Sequence, residues 1–238
     1  FNRMTDKKKI PFFIFGMHIF ALLLFHIFGY TGHYGYDDLH YAELAIDAIN
    51  GKFDFGDHCT YRLPVVFLTA LSYSVLGISD FATSVPPMFI TGLTLLLVFV
   101  ILKNKSIAVQ LTGLSLTLFS GWFIYYSDKI MPDIYVAFSV MLALVILHNY
   151  KFGNKTHPFR SAFLLSLALL SGFTAKETIV LVLPLFLYFV VADFILKRDT
   201  RFWVYTLATG TFLIFVYFFL IWLITGDFAK RFEAVVNN

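Results

Sequence analysis

Seven apolar stretches, most of them near the length that a helix needs to cross a bilayer, alternate with clusters of lysine and arginine. A spanning helix takes about 17 to 25 apolar residues. The stretches are Phe12–Tyr30, Ser84–Leu102, Ile107–Tyr126, Pro132–Tyr150, Ser161–Ala175, Ile179–Leu196 and Phe202–Ile224, the fifth being short and ending at a break. An eighth run, Leu63–Ile78, is also short, carries Ser72, Tyr73 and Ser74 near its centre, and opens at Pro64.

The basic clusters decide how the eighth run is read. They are Arg3, Lys7, Lys8 and Lys9; Lys103 and Lys105; Lys151, Lys155 and Arg160; and Lys197, Arg198 and Arg201. Lysine and arginine collect on the cytoplasmic side of membrane proteins. With all four clusters inside, the seven stretches alternate correctly, whereas an eighth span would push the later clusters outside. Leu63–Ile78 is therefore expected at the membrane surface or in a shallow re-entrant position.

Composition agrees with an all-α polytopic membrane protein of about seven transmembrane helices. The chain is 59% hydrophobic with a mean hydropathy of +0.77, and only 14% of it is charged, against about 25% in soluble proteins. Thirty Phe and thirteen Tyr suit lipid contact and interfacial belts. The single cysteine, Cys59, has no partner for an internal disulfide. The first stretch lacks a small-residue cleavage site and reads as an anchor. Because the chain begins at Phe1 and stops soon after an apolar stretch, it reads as a membrane domain, residues 1–238, cut from something longer.

This topology exposes three segments on the outer face. The largest, 31–83, opens with Gly35-Tyr36-Asp37-Asp38-Leu39-His40-Tyr41-Ala42-Glu43, and helical character runs from Asp37 to Asn50 with Gly51 as a stop. One aspartate could cap that helix. Two adjacent ones, with His40 a turn away, exceed what a cap needs, and a crowded carboxylate is suited to accept a proton from an attacking hydroxyl. Arg62 follows, either a snorkelling interfacial arginine or a phosphate-binding fork.

The second segment carries Asp128, Lys129 and Asp133, where Asp128 reads better as a cap and Asp133 is open between helix dipole and chemistry. The third is Lys176-Glu177, which interrupts an otherwise apolar stretch. Charge in such surroundings usually faces a cavity, the alternative being a mutual ion pair or a short loop reaching the headgroups. His40, Asp57 and His58 lack the spacing of metal ligands, so neither a metal nor any other cofactor is expected. No Walker or dinucleotide glycine motif is present, and nothing points to nucleic acid. His18 and His26, inside the first stretch, read as packed residues.

Tyr36-Asp37-Asp38 with Tyr41-Ala42, then Arg62-Leu63-Pro64, Met131-Pro132-Asp133 and Thr174-Ala175-Lys176-Glu177, in this order, resemble the membrane region of polyprenyl-phosphate-sugar-dependent glycosyltransferases of the GT-C fold. The nearest patterns are the protein O-mannosyltransferases and the bacterial aminoarabinose transferases. The resemblance implies that Asp37 is the catalytic base and that Asp38 supports it. It implies that Arg62 and Lys176 bind the lipid phosphate, with His40, Asp133 and Glu177 in supporting or acceptor-side roles. Leu63 stands where the family commonly has a proline, and Tyr61 where some relatives have a metal-ligating glutamate, which weakens any metal assignment. The family's later helices and soluble C-terminal domain have no counterpart in the chain.

The implied activity is inverting transfer of a hexosyl or pentosyl group from a polyprenyl-phosphate carrier to a lipid, protein or glycan acceptor. The expected setting is a multi-pass cell-membrane protein, of the bacterial inner-membrane kind, with a cytoplasmic N-terminus and an external or periplasmic site. Two other classes stay open: a non-catalytic scaffold subunit and a lipid or sugar transporter. A transporter would call for mid-membrane polar residues and related halves, and neither a repeat nor such residues are visible.

Overall fold

A computed structural model describes residues 2–30, 32–33, 35–153 and 157–236, with side chains from Ile10 onward. The chain is all-helical, with no strand among the described residues. The first helix is α1 (Asn2–Gly29), followed by α2 (Tyr36–Ile49), a 3-10 turn (His58–Tyr61) and α3 (Leu63–Leu76). Next come α4 (Asp80–Leu102), α5 (Ile107–Leu118), α6 (Gly121–Tyr125) and α7 (Pro132–Phe152). The chain continues through α8 (Pro158–Ala175), a 3-10 segment (Glu177–Val182), α9 (Leu183–Ile195), α10 (Thr200–Thr225) and α11 (Lys230–Val236).

Among the described residues, six helical segments are long and apolar enough to cross a membrane, and α5 with α6 makes a seventh if that bent pair is one span. The bend is 55°. Its cause is local: Ser120 is extended between the two helices and Gly121 follows it, a Ser-Gly step of the kind that breaks helices. The stretch Ile107–Tyr126, expected as one span, is thus bent within its length. α3, at 14 residues, rises only about 21 Å. That is too short to cross, in keeping with its exclusion from the spans.

These helices are apolar on the outside. Only 17% of the α10 window is buried within the protein, and Leu207, Phe212, Phe215 and Leu223 project outward. A soluble protein does not expose so continuous an apolar surface, and a bilayer is the solvent that suits it. The chain is a polytopic membrane protein.

Inside the bundle, α8 packs between α7 and α10. Close approach depends on small residues, as is usual between membrane helices. Ala143, Ala162 and Ala168 share one buried cluster, and a β-carbon on Gly172 would come within 3.0 Å of Ser139 Cβ. Ser166 Oγ donates to the Thr206 carbonyl at 3.0 Å and lies 2.8 Å from Thr209 Oγ1, which joins α8 to α10. His18 is buried and lies 3.0 Å from Ser115 Oγ, joining α1 to α5. It is a packed residue, and His26 is buried too.

The two ends of the bundle are distinct. At one end Lys151 of α7 pairs with Asp193 of α9, whose Oδ2 also accepts from Trp203 Nε1 of α10 at 2.6 Å. Lys103, Lys105, Arg160, Lys197, Arg198 and Arg201 adjoin the helix termini at this same end, while Lys155 falls outside the described residues and the side chains of the N-terminal cluster do too. The opposite end holds the start of α7, the close of α8 and the close of α10, and there the residues singled out above gather.

Candidate functional site

The segment between α1 and α4 builds one wall of the site. α2 begins at Tyr36 with Gly35 as its N-cap and no side-chain cap. Neither aspartate caps the helix, so the capping alternative does not hold. Asp37 is exposed on the first turn, whereas Asp38 is buried, with 2% of its surface accessible. Both still complement the helix dipole. Asn50 closes the helix, and Gly51 follows with φ of +69°, the left-handed geometry that a glycine stop supplies.

The chain then returns through the His58–Tyr61 turn, which Asp57 caps. Asp57 Oδ1 accepts from the Cys59 N–H at 2.6 Å, and Oδ2 lies 2.7 Å from His40 Nε2 on α2. Burial alone would raise the Asp57 carboxyl, but the Cys59 N–H and His40 outweigh it and hold the group below the usual range. The same burial, reinforced by the Asp57 charge, pushes the Cys59 thiol up to about 12. Arg62 follows at the entry to α3 and donates to the Tyr41 hydroxyl, with its guanidinium 5.5 Å from the centre of the Tyr41 ring.

The other wall comes from the helix ends. Lys176, just past α8, places Nζ 2.8 and 3.1 Å from the two carboxylate oxygens of Asp133 at the start of α7. Glu177 does not pair with Lys176. It pairs with Arg231 of α11, whose Nε lies 3.0 Å from Oε1. Arg231 is fully buried; it also donates to the Phe173 carbonyl at 2.7 Å and to the Tyr217 hydroxyl, and its guanidinium lies 4.2 Å from the centre of the Phe173 ring.

Arg62 links the two walls. Burial lowers its pKa, and the negative charges of Glu177, Asp37 and Asp133 oppose that shift. Five of the seven expected residues therefore converge on one end of the bundle: Asp37, Arg62, Asp133, Lys176 and Glu177. The other two turn elsewhere, Asp38 into the protein and His40 toward Asp57. Asp128 and Lys129 pair at 3.0 Å inside the fold, with Lys129 Nζ donating to the Gly32 carbonyl. That pair is a buried link, and the expected cap at Asp128 is absent from the bonds it makes.

Arg231 and Tyr217 were not foreseen. The signal for Arg231 was available, since α10 returns the chain to the end away from the basic clusters, as Lys176 does. An apolar groove of about 740 Å³ runs between α8, α9 and α10 past Leu165, Leu187 and Phe194. A second cavity shares Leu169, Val180 and Leu183 with it and reaches Phe173, beside Arg231. No protein-family profile, curated protein or solved structure matches the chain.

Proposed function

We propose that this chain is an integral membrane glycosyltransferase domain that moves a sugar from a polyprenyl-phosphate carrier to an acceptor at the outer face of the membrane. The observation that carries the reading is that Asp37 and Asp133 both act electrostatically on Arg62 at one end of an apolar bundle, with Lys176 bonded to Asp133 and an apolar cavity reaching Phe173 at that end. The motif resemblance agrees with it. Basic clusters at the other end support a cytoplasmic assignment of that end by the positive-inside rule, and with it an external site.

In this reading Asp37, exposed on the first turn of α2, takes the proton of the acceptor hydroxyl as its oxygen attacks the anomeric carbon. The bond from that carbon to the phosphate oxygen breaks, and the lipid leaves as a phosphomonoester. Arg62 and Lys176 stabilise the charge that grows on the phosphate. Lys176 exchanges the Asp133 carboxylate for phosphate oxygen, and the groove holds the first isoprenoid units. The sugar–phosphate bond supplies the driving force, so a nucleotide site is not needed.

The test is transfer of label from a polyprenyl-phosphate sugar in membranes containing the protein. Label should reach an acceptor fraction with the intact chain and not with Asp37→Asn at equal abundance. Full transfer by Asp37→Asn would end the assignment. A second reading, a non-catalytic membrane subunit, is favoured by the pairing of Lys176 with Asp133 and of Arg231 with Glu177 within the protein. It predicts no donor consumption by either form.

A further inference from the structure

Beside the proposed transfer site, three different donor groups lie within reach of one another. His40 from the second turn of α2 and Asp57 and Cys59 from the turn before α3 each present one ligand atom, and these atoms all lie within 4.8 Å of one another. We infer that His40, Asp57 and Cys59 form a binding site for a divalent cation of the zinc class. The site does not depend on the transferase reading.

The donor set selects the cation. An imidazole nitrogen, a thiolate and a carboxylate suit zinc and its cobalt substitute, whereas magnesium and calcium take oxygen ligands. Bonds of about 2.0 to 2.3 Å to each ligand require donors a few ångström apart, which the cluster meets with small side-chain shifts. His58 adds a fourth candidate, with Nε2 3.3 Å from Cys59 Sγ. The surroundings support the histidine. When Nε2 binds metal, the ring proton sits on Nδ1, and Glu43 Oε2 is already 3.9 Å from that atom. A carboxylate behind a ligating histidine is the usual arrangement. The Cys59 thiol proton leaves to solvent as the sulfur takes up the metal.

Such a site has a mechanical consequence. It clamps the second turn of α2 to the turn that Arg62 closes, and so fixes Asp37 and Arg62 relative to each other. Sequence spacing hid it, because His40 lies 17 residues from Asp57, with no motif to join them.

The experiment is a cobalt titration of the purified protein in detergent, isolated without a histidine tag and stripped by chelator. Cys59 is the sole cysteine, so a thiolate-to-cobalt charge-transfer band can arise from no other residue. One equivalent of cobalt should produce that band, and zinc should bleach it. Cys59→Ser should abolish it, and His40→Gln and Asp57→Asn should each weaken cobalt binding by tenfold or more. Elution as the same monodisperse species before metal is added shows that each variant is folded, and zinc should raise the Tm of the parent chain alone. Absence of the band in the parent chain would overturn the inference. So would unchanged affinity in folded His40→Gln and Asp57→Asn, which would reduce the site to a lone thiol.

Discussion

Lys176 Nζ lies 2.8 Å from Asp133 Oδ1, joining the close of α8 to the start of α7 at the end of the bundle away from the basic clusters. Both side chains are partly open to solvent, at 26% and 41%. An ion pair of that exposure contributes little stability. In the proposed reading its use is to hold a cation in place until a stronger anion arrives. Asp133→Asn should therefore raise affinity for a polyprenyl phosphate a few-fold, while Lys176→Gln should lower it by about tenfold, or about 1.4 kcal/mol. Lipid-binding isotherms in nanodiscs check both, and equal affinities in the two variants would remove Lys176 from phosphate binding.

The Arg231–Glu177 pair behaves differently because Arg231 is fully buried. Glu177 is 38% exposed, so removing it leaves the buried guanidinium short of its carboxylate at a solvent-screened cost of about 1 to 3 kcal/mol. Glu177→Gln should lower the Tm of the detergent-solubilised protein markedly. Arg231→Lys should not rescue the wild-type Tm, since one ammonium cannot reach Glu177, Phe173 and Tyr217 together as the guanidinium does. A wild-type Tm in both variants would show that α11 does not anchor the site.

Gly172 sets the spacing of α7 and α8 just before the Lys176 break. A β-carbon there would clash first with Ile179 Cδ1 and then crowd Ser139 Cβ at 3.0 Å, whereas at Gly210 the nearest atom is Ser166 Oγ at an ordinary 3.7 Å. Gly172→Val should cost about 1 to 3 kcal/mol through overpacking. Gly210→Ala should be close to neutral or slightly stabilising. Thermal unfolding of the pair measures the difference, and equal losses would contradict the packing described for α8.

Cys59 yields a pH prediction. With its thiol pushed up to about 12, the thiolate fraction at pH 8 is on the order of 10⁻⁴, against roughly a quarter for an ordinary cysteine. Because the folded value is raised, reactivity is suppressed through the neutral range and returns only as pH approaches it. Alkylation of the metal-free protein should run on the order of a thousandfold slower than in the unfolded chain at pH 8, and rise about tenfold per pH unit. A plateau near pH 9 would mean that the thiol is ordinary.

The spans were legible because membrane crossing imposes a length on apolar sequence that few other structures require. Lys176, Glu177 and Arg62 stood out in the sequence for the converse reason, as charges set apart from the four basic clusters. Asp37 and Asp38 differ in exposure because adjacent residues on a helix point about 100° apart, which puts one aspartate outside and the other inside. Arg231 meets Glu177 across 54 residues, and His40 meets Asp57 across 17. No periodicity encodes those contacts. The 55° bend after α5 rests on a Ser-Gly step too brief to interrupt an apolar count.

Sugar transfer itself is tested most directly by following release of polyprenyl monophosphate from a polyprenyl-phosphate sugar by the purified, reconstituted protein in the presence of acceptor. The account predicts one lipid monophosphate released per sugar transferred, and a loss on the order of a hundredfold or more in Asp37→Asn. Donor left intact by the parent chain, or consumed equally by Asp37→Asn, would contradict it.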